Sequence, residues 1–145
     1  LRGSGKTKPI NREIIIMSYK IKFLEEENIL ETIYHGTVKI VDLGIVFAKN
    51  LKLARKHHVH LFLVDCLELE DDKAMIVENY EAGILLKKIV GQLPKRMRNA
   101  IVLPRSRQAA ENLLSFETMT RNRGLNVRSF ENREAALTWL LEAEI

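Results

Sequence analysis

The stretch HLFLVDC, at residues 60–66, decides the class of fold. An unbroken apolar run extends from Leu61 to Val64. Such a run, bounded by polar residues, is typical of a strand that is buried on both faces of a parallel sheet. Neighbouring parallel strands need a long crossover between them, which is usually a helix. The stretch therefore predicts an α/β protein with helices before and after this strand.

The residues before this stretch show two different periodicities. Apolar residues spaced three and four apart predict a helix that runs to about His57. The apolar stripe of that helix consists of Val41, Ile45, Ala48 and Leu51. Earlier still, YKIKFLEEENILETIYH, residues 19–35, alternates apolar and polar residues around the polar EEEN segment. That pattern is typical of a β-hairpin.

The residues after the stretch continue the alternation of helix and strand. A second helix is predicted from about Asn79 to Leu93, where Pro94 stops it. AIVLP, residues 100–104, reads as a short buried strand that ends at its proline. Ser106 can cap a third helix, and Gly124 is the glycine expected just past its end.

The C-terminal part predicts one more strand and one more helix. NVRSF, residues 126–130, supplies the strand, and Asn132 can cap the helix that follows. The inward side of this helix is predicted to carry Ala136, Trp139, Leu140 and Ala143.

This order of elements predicts an α/β fold with a mixed, mostly parallel sheet of about five strands, an N-terminal β-hairpin and four helices. Right-handed crossovers should place the helices over the sheet. Residues 17–145 are expected to form a single domain, with Met17 as its natural start. Residues 1–16 are expected to be an N-terminal extension that is disordered or artificial.

The extension contains GSGKT, residues 3–7, which resembles the end of a nucleotide-binding P-loop. A P-loop lies between a buried strand and a helix whose N-terminus faces the phosphates. No strand precedes this stretch in the sequence, and Pro9 disfavours helical dihedrals at Lys8. The sequence therefore predicts no nucleotide site here, and no cofactor is expected elsewhere in the chain.

Composition suggests a cytoplasmic protein. The chain has 145 residues, a formal net charge of +4 and one cysteine, Cys66. One cysteine excludes an internal disulfide framework, and the sequence shows neither a secretory signal nor an apolar run of membrane-spanning length. Residues 1–16 contribute +3 of the net charge, from four bases and one acid, so residues 17–145 carry only +1.

The charge of the body is nevertheless polarised along the sequence. Residues 62–86 carry seven acids and one base, or −6, whereas residues 87–133 carry eleven bases and three acids, or +8. The split could attract a phosphate-bearing ligand or RNA, or it could reflect two solvated faces. Aromatic residues do not interleave with the basic run as single-strand binding would require. Solvated faces are therefore favoured, and nucleic acid is not an expected partner.

Two long segments resemble a known family. VDLGIVFAKNLKLARKHHVHLFLVD, residues 41–65, and AIVLPRSRQAAENLLSFETMTRNRGLNVRSFENREAALTWL, residues 100–140, are similar to the small bacterial proteins described as SpoIIAA-like or STAS/SEC14-like. FETMTRNRGLNVRSF and the closing AALTWL are the more specific parts. The resemblance covers residues 18–143 and implies a fold related to anti-sigma-factor antagonists and to lipid-binding SEC14 domains. It implies no established activity.

One feature of the anti-sigma-factor antagonists is missing. Their switch is a serine or threonine just after the central strand, where phosphorylation can break a protein interface. The matching stretch here, VDCLELEDDKAMIVENY, residues 64–80, contains neither residue type, which excludes a phosphoserine switch at that position. Four acids in it could imitate a phosphorylated state, although a solvated acidic loop is favoured. These acids are Glu68, Glu70, Asp71 and Asp72.

Three polar groups in the sequence are candidates for chemical sites. His57, His58 and His60 could bind metal, but without a second ligand cluster they are better explained as residues that close a helix. Asp65 lies where a parallel strand should end, but the early strands end in Leu24 and His35 and lack the acids of a receiver-type magnesium site. Cys66 lacks a nearby base and should be a buried, inert thiol.

A polar cluster near the end of the third helix is another candidate binding site. Glu117 and Arg121 are four residues apart on this helix and should form an ion pair. Arg105 and Arg107 follow the fourth strand at the edge where ligands often bind. The complete candidate ligand or partner surface comprises Asp65, Glu68, Glu70, Met75, Tyr80, Arg105, Glu117, Arg121, Asn122 and Arg123.

Two functions fit these features. The first is a non-enzymatic regulatory or protein-interaction module that meets an unknown protein partner through the acidic loop and second helix. The second is a SEC14-like carrier of a lipid or other small hydrophobic ligand. No catalytic triad, matched carboxylate pair or cofactor loop has recognisable spacing, so an enzyme is not expected. A homodimer is left open.

Overall fold

The computed structural model of the chain describes residues 18–71, 84, 87–88 and 90–142, with backbone alone at Ile40 and Asp71. These residues form one mixed sheet whose strands lie in the order β1-β2-β3-β4-β5. β1 and β2 are antiparallel, and each later neighbour is parallel to the strand before it. The strands are β1 (Tyr19–Leu24), β2 (Ile29–Thr37), β3 (Leu61–Asp71), β4 (Arg98–Val102) and β5 (Val127–Phe130).

The hairpin between β1 and β2 forms as predicted. Asn28 has a φ of 58°, which an asparagine adopts more readily than most residues, and its amide donates to the Glu25 carbonyl at 3.3 Å. The register pairs Leu24 with Ile29 and Tyr19 with Tyr34. The EEEN segment therefore turns the chain, and the two flanking alternating segments pair as strands.

The described part of the chain contains three α-helices: α1 (Ile40–His57), α2 (Arg107–Asn122) and α3 (Arg133–Leu140). The predicted caps are present, because Ser106 Oγ accepts from the Ala109 amide at 3.3 Å and Asn132 Oδ1 accepts from the Ala135 amide at 2.8 Å. Gly124, just past α2, has a φ of 85°, in the left-handed region that glycine occupies without strain.

Four helices were predicted, so the count needs a correction. The predicted second helix, from Asn79 to Leu93, falls mostly outside the described residues, although Ile84, Lys87 and Lys88 are helical. Its expected C-terminal end is instead a short 3₁₀ turn, Val90–Gln92. The Leu93 amide closes this turn on the Val90 carbonyl at 3.3 Å. The next residue, Pro94, has no amide hydrogen with which to continue a helical ladder.

β3 is the central strand, and its two faces pack against different helices. Phe62 packs on the α1 side with Leu30 and Ala54. Leu63, which is fully buried, packs on the α3 side with Ile29. α2 shares the α1 side, where Val46, Cys66, Ile101, Leu113 and Val127 belong to one cluster. The expected strand buried on both faces is thus confirmed.

β3 is longer than the sequence predicts. The acidic stretch at Glu68 and Glu70 is not a loop, because the strand continues to Asp71 and pairs with the extended end of β2. Leu69 is buried and anchors this extension in the core. Irregular register between Ile33 and His35 accommodates the longer pairing. Asp72 lies outside the described residues.

Candidate interaction surface

The stripe of α1 that the sequence predicts as its apolar face is mostly exposed. Val41 is 59% exposed and Ile45 is 44% exposed, and Ala48 is exposed as well. Of the four residues in that stripe, only Leu51 is buried. Because an apolar stripe on a surface helix ordinarily faces the core, this exposure is the most informative feature of the described surface.

A different face of α1 packs against the sheet. Leu43, Val46, Asn50 and Ala54 recur at spacings of three and four residues and lie toward the core. Asn50 interrupts the apolar pattern of this face, which explains why the sequence indicates the wrong side of the helix. Its amide donates to Thr32 Oγ1 at 3.0 Å and to the Val46 carbonyl at 3.1 Å. These bonds satisfy the amide nitrogen against the sheet.

The exposed face of α1 changes character along the helix. Its first half carries Val41, Ile45 and Ala48, and its second half continues in the same direction with Lys52, Arg55 and Lys56, all exposed. We call the three apolar residues the α1 stripe and the three basic residues the α1 basic end. Bases near a helix C-terminus are favoured by the helix dipole, so their position also suits the helix itself.

The N-terminal turn of α1 holds the one acid of that helix. Asp42 Oδ2 accepts from the Lys39 amide at 3.2 Å and from Ser18 Oγ at 3.4 Å. On the next turns, Lys49 Nζ donates to the Tyr19 hydroxyl at 2.8 Å. The contacts of Asp42 with Ser18 and of Lys49 with Tyr19 tie α1 to the start of β1. Since Asp42 is occupied by the cap, the exposed face of α1 runs from apolar to basic without an opposing acid.

The candidate residues near the carboxyl ends of the parallel strands come together only in part. Glu68 and Arg105 form an ion pair, and both side chains are mostly exposed. Asp65 is not at the end of its strand, but it is the last β3 residue paired with β4, opposite Val102. Its Oδ1 accepts from the Leu67 amide at 3.0 Å. Glu70 is exposed on the extension of β3.

The remaining described candidates lie at the other end of the sheet. α2 leads from the end of β4 back to the start of β5, so its last residues lie far from Glu68 and Arg105. Arg121 Nη1 is 3.4 Å from Glu117 Oε2, which confirms the predicted ion pair. Asn122 is exposed, and Arg123 Nη1 donates to the Met119 carbonyl at 3.2 Å. Met75 and Tyr80 lie outside the described residues.

The histidines at the end of α1 have structural contacts. The ring of His57 stacks on Phe23 with a centroid distance of 4.4 Å. His58 has a φ of 56°, and its carbonyl accepts from Asn28 Nδ2 at 3.1 Å. For His57 and His58, these contacts confirm the interpretation that the histidines close the helix, which ends at His57 with His58 as its C-cap. Among the described residues, no group of three or more His, Cys, Asp or Glu side chains is arranged to hold a metal ion.

Sequence reasoning missed the most buried ion pair of the described residues. Glu31, on β2, is 1% exposed and accepts from Arg133 at the start of α3. The two bonds are Nε to Oε2 at 2.9 Å and Nη2 to Oε1 at 3.0 Å. Hydrogen bonding to Glu31 raises the pKa of the Arg133 guanidinium, and the charge of Asp65 acts in the same direction. The inward position of Glu31 in the alternating segment was the available signal.

Comparison with protein-family models and with curated proteins finds no match. A solved structure is similar: the crystal structure of an uncharacterized DUF3478-family protein with a SpoIIAA-like fold from Shewanella loihica PV-4. The identity is 18%, the match covers 84% of this chain and 91% of that one, and the TM-score is 0.49. That description agrees with the SpoIIAA-like resemblance of the sequence. A likeness this distant carries no information about residues or activity.

None of the described helices combines the length and apolar character that crossing a bilayer requires.

Proposed function

We propose that this chain is a non-enzymatic, STAS-like protein-interaction module that binds a partner through the α1 stripe. The observation that carries the proposal is the exposure of Val41 and Ile45, one helical turn apart, on a helix whose opposite face fills the core. Exposed apolar residues that cluster at helical spacing mark interaction sites more often than scattered single residues do.

The charges of α1 select the kind of partner. An amphipathic helix can dock on such a face with apolar side chains at positions i, i+4 and i+7. Because the α1 basic end continues the same face, the complementary partner carries acidic residues beyond its apolar ones. We therefore commit to a partner segment that is helical, apolar at one end and acidic at the other.

The proposal also covers regulation and location. Regulation by a phosphoserine after β3 is excluded, because no serine or threonine occurs between Thr37 and Ser106. Control of binding therefore depends on the partner or on another site. We place the protein in the cytoplasm, which suits its single, buried cysteine, Cys66.

The test uses a synthetic helical peptide of about 20 residues with leucines at positions i, i+4 and i+7, followed by glutamates. Its binding is measured by fluorescence anisotropy against the full chain. Ile45→Ser should weaken binding at least about tenfold, as truncating a central apolar anchor does. Leu114→Ser is the matched control, because Leu114 on α2 is also 44% exposed and should leave affinity unchanged.

Two control peptides test the committed chemistry. A peptide with lysines in place of the glutamates should bind more weakly. Added salt should lower the affinity of the acidic peptide in particular. Equal losses of affinity for the acidic peptide in Ile45→Ser and Leu114→Ser would contradict the proposal. Equal binding of the acidic and the lysine peptide by the wild-type chain would contradict it as well. Sedimentation of the chain alone is the companion measurement. A dimer that dissociates on Ile45→Ser would replace the acidic partner with a second copy of the chain.

A further inference from the structure

β1 is an edge strand of the described sheet. It stands at one end of the strand order and, within the described residues, pairs only with β2. The outer side of an edge strand presents backbone N–H and C=O groups that can pair with a strand from another molecule. β5 is the edge strand at the opposite end of the order, but it has four residues where β1 has six. β1 is therefore the longer of the two edges.

The hydrogen-bond pattern shows which residues of β1 direct their backbone groups outward. The His35 amide donates to the Ser18 carbonyl at 3.0 Å, so the backbone of Ser18 faces β2. Because the bonding direction alternates along an antiparallel strand, the backbone groups of Lys20 and Lys22 face β2 as well. Three residues direct their backbone groups to the outer edge instead: Tyr19, Ile21 and Phe23. We call these three the outward-bonding residues.

The side chains of β1 lie on two different faces of the sheet. Those of the outward-bonding residues are half-buried against the core clusters of the α1 side. Those of Lys20 and Lys22 are exposed on the opposite face, because successive side chains of a strand alternate. The edge therefore combines an apolar side with a positively charged side.

The two lysines decide what kind of strand can be added. A residue opposite Lys20 or Lys22 in an added antiparallel strand would form a non-hydrogen-bonded pair, in which the side chains are closer than in a bonded pair. Like charges in such a pair are destabilising and opposite charges are stabilising. In a second copy of the chain, the antiparallel pairing that uses all the outward-bonding residues would place Lys20 opposite Lys22. The edge therefore disfavours a second copy and suits a strand with acids at these two positions.

We propose that β1 accepts an extended acidic peptide segment as an added antiparallel strand, with acids opposite the two lysines and apolar residues opposite the outward-bonding residues. The segment extends the five-stranded sheet, and its own apolar and acidic residues alternate to match the two faces of β1. Lysines on edge strands commonly prevent edge-to-edge aggregation, and here the same charges select the partner. This surface is a sheet edge, whereas the α1 stripe is a helix face, so the proposal goes beyond the function proposed above.

The probe is a peptide of about seven residues with the alternating core Val-Glu-Val-Glu-Val. It is added to the full chain, and the exchange of backbone amide hydrogens is followed by NMR. The amides of the outward-bonding residues should become protected from exchange. Those of Lys20 and Lys22 already pair with β2 and should not change. Protection at β5 instead, or protection of β1 without this alternation, would overturn the proposal.

N-methylation of the peptide gives a matched pair of controls. In the bound strand, the valine amides face β1 and the glutamate amides face away from it. Methylating the central valine nitrogen should therefore weaken binding at least about tenfold, whereas methylating one glutamate nitrogen should have a much smaller effect. Equal losses for the two methylated peptides would overturn the proposal, since binding would then not depend on strand pairing.

Protein variants test the selection by charge. Lys20→Thr combined with Lys22→Thr should weaken the acidic peptide about tenfold, because threonine suits a strand and both charges are removed. Lys52→Gln is the control, since Lys52 is exposed in the α1 basic end and should not affect this peptide. Ile45→Ser should also leave the affinity unchanged, which separates this edge from the α1 stripe. Equal losses in the double variant and in Lys52→Gln would indicate non-specific charge attraction and overturn the proposal.

Discussion

At the scale of single residues, the buried carboxylate of Glu31 is the side chain most dependent on one partner. Arg133 supplies two hydrogen bonds to it, and its own side chain remains 42% exposed. A buried ion pair need not stabilise a fold more than apolar residues would, but removing one member leaves the other charge buried without compensation. The pair therefore fixes where α3 starts relative to β2.

We expect Arg133→Met to lower the free energy of unfolding by about 3 kcal/mol, at the low end for a buried pair because water can reach the position that Arg133 leaves. The double variant Glu31→Met with Arg133→Met should recover most of that loss. Arg105→Met is the control, and its exposed pair with Glu68 should cost at most about 1 kcal/mol. Urea titration measures the free energy of unfolding of the single, double and control variants. A double variant as unstable as the single one would contradict this explanation.

Tyr34 should make the stability of the protein fall as the pH becomes alkaline. The residue is 8% exposed, and burial raises the pKa of its phenol, with the charges of Cys66 and Asp42 adding to the effect. The folded pKa therefore lies above the unfolded value of about 10. The neutral phenol contributes its stability fully below pH 10, and that contribution falls as pH rises toward the folded pKa.

We expect the free energy of unfolding to fall above pH 10 by up to about 1.4 kcal/mol per pH unit from this group. Lysines also titrate in this range, so the measurement is the difference between the wild-type chain and Tyr34→Phe. The variant should lose the tyrosine part of the slope and keep the rest. Parallel stability curves for the two proteins from pH 9 to pH 11.5 would show that the prediction is wrong.

At the scale of elements, α1 has an inward and an outward apolar face, and substitution distinguishes them. Leu51→Ala should lower the free energy of unfolding by about 2 to 5 kcal/mol, since Leu51 is buried. Ile45→Ser should change it by no more than about 0.5 kcal/mol, because surface substitutions rarely do more. Thermal and urea unfolding of both variants provide the measurement. A large loss in Ile45→Ser would mean that the α1 stripe packs inside the protein.

Local signals predicted local features well. Ser106 and Asn132 cap the two helices that follow them, and Gly124 ends α2 as its position indicated. Each of these depends on residues within one helical turn. The inward face of α1 was not predictable in the same way, because one of the two bonds that accommodate Asn50 there is made to Thr32, on a strand that precedes the helix.

At the scale of the whole molecule, the alternating sequence predicted the mixed sheet, but not which distant residues would meet. Glu31 and Arg133 are 102 residues apart, and Glu68 and Arg105 are 37 apart. For a similar reason, the residues predicted to form one candidate surface lie in two separate places. Glu68 and Glu117 lie at opposite ends of the sheet because α2 carries the chain from one end back to the other.

The most direct test of the account is to locate the acidic helical peptide on the full chain. Methyl spectra recorded during the titration would report on Val41 and Ile45 at the stripe and on Leu114 as an exposed reference. We predict shifts that saturate at Val41 and Ile45 with Leu114 unchanged, and their loss in Ile45→Ser. Saturating shifts at Leu114 with Val41 and Ile45 unchanged would contradict the central claim that α1 carries the binding surface.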